Sequence, residues 1–443
     1  MNSTAVLKVA KGFFPLFYLV SPSQSSFKHL SEVPDYVQQV VPYFFVLIAL
    51  EAVVRWFQDK PLPRVNDSIS SLTAGTFLMF GRAIIGTFEI VIYAWIYENF
   101  YFYPLPWDSA ATWWIAMILI DFFYYWFHRM AHEINLFWAA HQVHHSSQDY
   151  TLSTALRQSV MQRFSSWMFY LPMAFFMPPA MYVVHKQFNL LYQFWIHTEV
   201  VNKLGPLEWF LNTPSHHRVH HGTNPYCIDK NYAGVLIIWD RMFGTFAEEK
   251  EKVYYGLMHQ PKTWNPIYAQ FFVFAHIIRR VWSHKGITEK LRFLFYSPSW
   301  TPGHGRMGFV YSEPYPPVSA HLKSRFGKPT SWWLTVYTGI QFTTAVYLSL
   351  ELDKLKAPYF VSLLVIFYLI LYFTNIGLLF DLNPMSAKIE VLRLIILLAV
   401  DYALTPHTVI TGMLLHFTRA VSVFSLVLWL LITFKQTANK TEQ

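Results

Sequence analysis

Seven apolar stretches organise this sequence: residues 40–57, 70–97 and 109–127, then 332–350, 359–379, 389–404 and 409–434. Each approaches the roughly 20 apolar residues that cross a hydrocarbon core. Inside lipid the backbone has no water to bond with, so segments of this length must close their hydrogen bonds internally, as helices. A soluble chain carries about 25% charged residues, whereas this one carries 14% and is 54% hydrophobic. The prediction is an all-α polytopic membrane protein built as a helical transmembrane bundle.

Charge then orients the loops. Lys60 and Arg64, with Arg55 at the end of the first stretch, mark the following loop as cytoplasmic by the positive-inside rule. Residues 98–108 contain no Lys or Arg and belong on the other side. The third stretch returns and delivers His128 to the cytoplasm. The four C-terminal stretches, even in number, leave Lys435 and Lys440 cytoplasmic, although Lys354 and Lys356 then fall in an outside loop. Residues 161–201 are apolar but interrupted by Pro172, Pro178 and Pro179. Prolines at this density break a helix, so a hairpin that dips into the membrane and returns to the histidine side is expected. Residues 13–20 are apolar but short, contain Pro15 and precede no small-residue cleavage site, which favours a surface or anchoring segment. The expected organisation is N-terminal membrane segments over 1–108, a histidine-rich catalytic region over 109–250, a cytoplasmic cap over 251–330 and a four-segment membrane block over 331–443.

The formal charge of +8 is absorbed by these loops, and no basic block interleaved with aromatics suggests a nucleic-acid surface. Cys227 is the single cysteine, which excludes an intrachain disulfide and a thiolate metal cluster.

Histidine is the residue that such a chain should avoid and instead concentrates. Residues 126–147 read WFHRMAHEINLFWAAHQVHHSS. His128 and His132 are spaced i, i+4 and share one helical face; His141, His144 and His145 follow as H-x-x-H-H. The segment SHHRVHHG adds His216, His217, His220 and His221 and repeats that spacing from His217. His197 lies between, on the returning arm of the hairpin. Neutral imidazole is a borderline ligand for Fe, Zn, Cu or Ni. Eight or nine of them exceed the three or four protein ligands of one zinc-type site, so the count asks for two metals. His216, one residue out of pattern, is expected beside the site. Gln193, one turn before His197, is a core amide or an outer partner of that histidine. The isolated His29, His185, His276, His407 and His416 are read as ordinary packed or interface residues.

Two acids accompany the cluster. Asp121 lies two turns before His128 inside an apolar span, where an unpaired carboxylate is costly, and is expected to orient that histidine. Glu133 adjoins His132 and is either a salt-bridged acid or a carboxylate that handles protons beside the metals.

The boxes HRMAH, HQVHH and HRVHH, with a short gap between the first two, resemble the fatty-acid hydroxylase (sterol desaturase-like) superfamily of membrane di-iron enzymes. NYAGVLIIWDRMFGTF, residues 231–246, looks like the signature that follows the third box there. The longer CIDKNYAGVLIIWDRMFGTF and the extra four-segment block narrow the resemblance, over essentially the whole chain, to the ether-lipid-cleaving branch of that superfamily. It implies an endoplasmic-reticulum monooxygenase that uses two iron ions (Fe), O2 and tetrahydrobiopterin. Such an enzyme hydroxylates the alkyl carbon next to the ether oxygen of 1-alkyl-glycerols and lyso-ether lipids, and releases a fatty aldehyde. The ligands carried over are His128, His132, His141, His144, His145, His217, His220 and His221, to which the hairpin position adds His197. No pterin-binding residue is legible, nor is a fused haem or flavin domain, so electrons must come from a diffusible donor. Two alternatives stay open at this point: a sterol or sphingolipid hydroxylase or desaturase on the same scaffold, and a metal transporter. The latter is disfavoured because the histidines cluster at one face and the last four stretches contain few acids, Asp401 the clearest.

Overall fold

The computed structural model describes residues 12–308, 326–327, 330–352, 358–404 and 413–441. Lys354, Lys356 and His407 lie outside the described residues. Helix α1 (Tyr36–Phe57) is opened by Asp35, whose carboxylate accepts the Gln38 N–H at 2.9 Å and satisfies one of the donors that every helix start leaves free. Helix α2 (Val65–Ile85) stops at Gly86, where φ is +75°, a conformation that favours glycine. Helix α3 (Phe88–Phe100) begins two residues later. The span expected within 70–97 is met by α2, which Gly86 ends, and the remainder of that stretch is the separate helix α3. Helix α4 (Ala110–Glu133) and helix α5 (Asn135–His145) are separated by the single extended residue Ile134. That break folds α5 back so that the histidines of both helices share one end.

Residues 161–201 fold as two arms, the second of which returns to the histidines. A short helix (Gln162–Ser166) and a 3-10 segment (Trp167–Phe175) containing Pro172 make the first arm, and helix α6 (Pro179–Trp195) returns behind Pro178 and Pro179. Residues 13–20 pack one face onto the core and leave Phe14 and Leu19 exposed. Leu16 is fully buried and the Tyr18 hydroxyl lies 2.8 Å from His185 Nδ1 on α6, because the aromatic density of this segment is matched by α6. The core is built from α1, α3, α4, the 3-10 segment and α6, with Val40, Tyr93, Ile120, Met173 and Phe188 at its centre. Helix α7 (Pro214–His220) follows, started by a proline at its first turn where no N–H is needed. Helices α8 (Pro266–Ser283) and α9 (Ile287–Phe295) lie in the region expected as a cap. Among the described residues the only β pairing is two isolated bridges, Leu211 with Leu236 and Gly222 with Tyr255.

The chain divides into two compact units, Met1–Gln260 with Gln270–Arg325, and Pro261–Ala269 with Phe326–Gln443. The second unit contains helices α10 (Trp332–Leu350), α11 (Tyr359–Phe380), α12 (Ser386–Leu404) and α13 (Met413–Thr441). Its interior is polar at one level. Glu390 and Arg393 are fully buried and ion-paired, Asn375 Nδ2 donates to Glu390 at 2.7 Å and Arg393 donates to Gln341 at 2.9 Å.

Among the described residues five helices are long and apolar enough to cross a membrane: Leu30–Phe57, Val65–Ile85, Ala110–Glu133, Tyr359–Phe380 and His416–Phe434. The chain is a multi-pass membrane protein. The stretches expected at 332–350 and 389–404 are helical, as α10 and α12, but are not among these five; they carry Gln341, Glu390 and Arg393.

Candidate metal centre

Nine buried histidines converge from four places: the end of α4, α5, the turn after α6, and α7 with the residue that follows it. They sort into two sets, His128, His132, His141, His145 and His220 in one, His144, His197, His217 and His221 in the other, and within each set the ligand atoms all lie within 4.8 Å of one another. Helical geometry decides which members of a box stay together. Residues four apart share a face while adjacent ones point about 100° apart. From H-x-x-H-H on α5, the i, i+4 pair His141 and His145 enters the five-histidine set and His144 turns to the other. From the same spacing on α7, the pair His217 and His221 enters the four-histidine set and His220 crosses over. The second and third boxes thus each serve both sets, while His128 and His132 of the first box both enter the five-histidine set.

The outward ring nitrogens face acceptors. His128 Nδ1 lies 2.7 Å from the Tyr232 carbonyl, His220 Nδ1 2.9 Å from that of Lys230, His144 Nδ1 3.1 Å from that of Arg157 and His197 Nδ1 2.6 Å from that of Gln193. A carbonyl only accepts, so these imidazoles carry their proton on Nδ1 and leave Nε2 bare. The bare atoms point at each other. His197 Nε2 is 3.1 Å from His144 Nε2 and 3.0 Å from His217 Nε2; His128 Nε2 is 3.0 Å from His141 Nε2. Two lone pairs at that distance repel unless a cation lies between them. A metal bound to imidazole at roughly 2.0–2.1 Å places neighbouring ligands about 3 Å apart. His132 Nε2 and His220 Nε2 are buried with no hydrogen-bond partner, which in a native interior calls for an ion or a water. Burial also keeps the rings neutral, the form that binds metal: it pushes His141 down to about 4, and His197 and His220 down to about 3. The residues fit two metal ions.

The acids sit elsewhere than expected. Asp121 does not touch His128. Its carboxylate accepts the N–H groups of Val235 and Leu236 at 2.8 Å each, Asn189 Nδ2 at 2.8 Å and Trp239 Nε1 at 3.0 Å. One folded-back loop meets both residues instead: its Tyr232 carbonyl lies on His128, and its Val235 and Leu236 N–H groups donate to Asp121. That loop approaches so closely that a Cβ on Gly234 would stand 2.8 Å from Asp121 Oδ1. Glu133 belongs to neither set; it pairs with Arg129 at 2.8 Å and Arg306 at 3.5 Å. His216 lies outside both sets, its ring 5.4 Å from Phe246. The Gln193 amide bonds to Tyr124 and Asn189, and its backbone carbonyl, not its side chain, meets His197. None of His29, His185, His276 and His416 joins either set.

Residues that the sequence did not single out individually also act on the centre. Gln162 Oε1 lies 3.2 Å from His141 Nδ1, and Arg157, buried and ion-paired with Asp67, presents its carbonyl to His144. For Asp229 and Lys230 the signal was their place next to the signature after the third box.

The fatty acid hydroxylase family matches residues 113–245, which include all nine histidines. Scaffold and centre together define a membrane-bound oxidoreductase of that class. Alkylglycerol monooxygenase of Homo sapiens is 49% identical over 395 residues, covering 88% of each chain, and that of Danio rerio is 49% identical over 393 residues, covering 88% of this chain and 87% of its own. The Caenorhabditis elegans enzyme of the same name is 35% identical over 406 residues, 85% of this chain and 79% of its own. The chain belongs to the alkylglycerol monooxygenase family. No solved structure matches it.

Proposed function

We propose that this chain is a tetrahydrobiopterin- and O2-dependent di-iron monooxygenase that attacks the ether-adjacent alkyl carbon of 1-alkyl-glycerols and lyso-ether lipids. The observation that carries the reading is the pair of buried histidine sets with bare nitrogens facing inward. Imidazole suits iron among the metals available to such a site, and the relatives are named for a lipid-ether substrate. In this reading His128, His132, His141, His145 and His220 hold one iron and His144, His197, His217 and His221 the other. Iron bound there would supply the activation of O2.

The protein's own groups do the rest. Carbonyls of Tyr232, Lys230, Arg157 and Gln193 fix ring orientation, which keeps Nε2 aimed inward before any ion arrives. Burial excludes water from the nine rings. Glu133, held between Arg129 and Arg306, is a fixed carboxylate next to His132 where proton transfer accompanies oxidation. Hydroxylation at the ether carbon inserts one oxygen atom and makes a hemiacetal. That species expels the glycerol oxygen with a proton and leaves the alkyl chain as an aldehyde; the second oxygen atom leaves as water with two electrons from the pterin.

The reading places the enzyme in the endoplasmic-reticulum membrane with its histidines toward the cytosol. Support comes from the basic loop after α1. Lys60 bonds to the Glu199 carbonyl and Arg64 pairs with Asp149 at 3.1 Å, so this loop shares a side with the turn that carries His197.

The test is a lipid-oxidation assay on a 1-alkyl-glycerol with and without tetrahydrobiopterin. A fatty aldehyde with the alkyl chain's carbon count, formed only with O2 and the pterin, is the expected product. An intact hydroxylated ether, or turnover indifferent to the pterin, favours the sterol and sphingolipid type of chemistry instead.

A further inference from the structure

We infer that residues 229–232 form a strap that orients three of the five histidines of the first set and none of the second, and that Asn231 is its positioning residue. The inference rests on the two-metal reading above and assigns a task to part of the sequence that follows the third box.

Within four residues the strap offers three oxygens to three rings. Asp229 Oδ1 lies 3.5 Å from His132 Nδ1, the Lys230 carbonyl 2.9 Å from His220 Nδ1 and the Tyr232 carbonyl 2.7 Å from His128 Nδ1. Here Asp229 and Asn231 take left-handed backbone angles, φ 55° and 56°, a region that Asp and Asn enter more readily than other non-glycine residues. The segment is therefore turn-like rather than a strand, and within it the Lys230 and Tyr232 carbonyls both meet rings of the same set.

Such a backbone does not hold itself, and the surrounding side chains clamp it. Asn231 Nδ2 donates to the carbonyls of His216 at 3.0 Å and Ala247 at 2.7 Å, and its Oδ1 accepts the Ala247 N–H at 2.9 Å. Asp240, fully buried, accepts the N–H groups of Tyr232 and Ala233 at 2.8 Å each. Asp121 closes the far end through Val235 and Leu236. The four-histidine set is oriented from other elements: His144 from Arg157 and His197 from Gln193, while His217 Nδ1 has no hydrogen-bond partner.

Damage to the strap should therefore remove one metal selectively. Asn231→Gly leaves the left-handed backbone free to form and deletes the three clamp bonds; loss of an outer partner typically weakens metal affinity roughly 10- to 100-fold. After iron loading in detergent and dialysis against a chelator, the wild-type chain should keep about two irons and Asn231→Gly about one. The retained iron also reports that the variant is folded. Combining Asn231→Gly with His145→Ala should still leave about one iron, because both changes strike the same set, whereas combining it with His217→Ala should leave none. Asp229→Asn, which leaves the three Asn231 clamp bonds in place, should loosen the same iron and not the other. Retention of both irons by Asn231→Gly, or their loss together, overturns the strap. A wild-type chain that never holds two irons overturns the two-metal reading itself, and the inference with it.

Discussion

Arg55 and Glu199 meet at 3.1 Å through Nη2 and Oε2, tying the end of the first membrane helix to the turn that carries His197. In the proposed topology the basic loop after α1 and the histidines lie on one membrane face, and the Glu98–Asp108 loop on the other. Single cysteines at Lys250 and Pro104, both exposed, should divide accordingly. A membrane-impermeant maleimide added from the cytosolic side should label the first and spare the second. Cys227 should stay silent as background, since it is buried and burial pushes its thiol up to about 12, away from the reactive thiolate. Labelling of Pro104→Cys alone would reverse the topology.

His197 and His216 separate geometry from sequence pattern. His216 lies inside a histidine run but outside both sets, and His197 lies alone in sequence but inside one. His197→Ala should lose about one iron per chain and nearly all aldehyde formation, while His216→Ala should keep the metal content of the wild type. The opposite order would return the four-histidine set to the pattern SHHRVHH alone.

Asp121→Asn should act on stability through the loop. Four donors converge on this carboxylate, and an amide replaces one acceptor oxygen with an N–H2 that faces donors. A buried group left unsatisfied in this way is worth about 1–3 kcal/mol, more for charged acceptors. Thermal unfolding in detergent should show the loss, together with weakened iron in the five-histidine set. An unchanged unfolding temperature would mean that the loop is held without it.

In the second unit, Glu390→Gln should be more damaging than removing both charges. It leaves the Arg393 guanidinium, fully buried over the Tyr372 ring, without its carboxylate, a loss of about 3–5 kcal/mol for a buried pair. Glu390→Met with Arg393→Met should recover much of that. Equal unfolding temperatures for the single and double variants would show that the pair is not energetically coupled.

The metal-free protein should weaken in acid. Burial holds His141, His197 and His220 well below the roughly 6.5 of a free imidazole. The unfolded chain then binds protons that the fold refuses, so stability present above about pH 6.5 declines as pH falls toward 4. Chelator-treated protein should unfold at progressively lower temperature between pH 7.5 and 5. A flat profile would mean that these rings are not held neutral.

Sequence alone determined the membrane class and the three histidine boxes, because apolar length and i, i+4 spacing are local properties that act within a few turns of chain. It also placed His197, through the proline-broken hairpin that must return. Only the tertiary structure decided which histidine joins which set, since the division runs through the second and third boxes and depends on where α4, α5 and α7 meet. It alone put the Tyr232 carbonyl on His128 and moved Asp121 to a loop more than a hundred residues away. It also ended α2 at Gly86 and made the remainder of the 70–97 stretch the separate helix α3. Hydropathy and spacing report which face a residue takes on its own element. A contact between distant segments depends on the packing of both, and no local pattern encodes it.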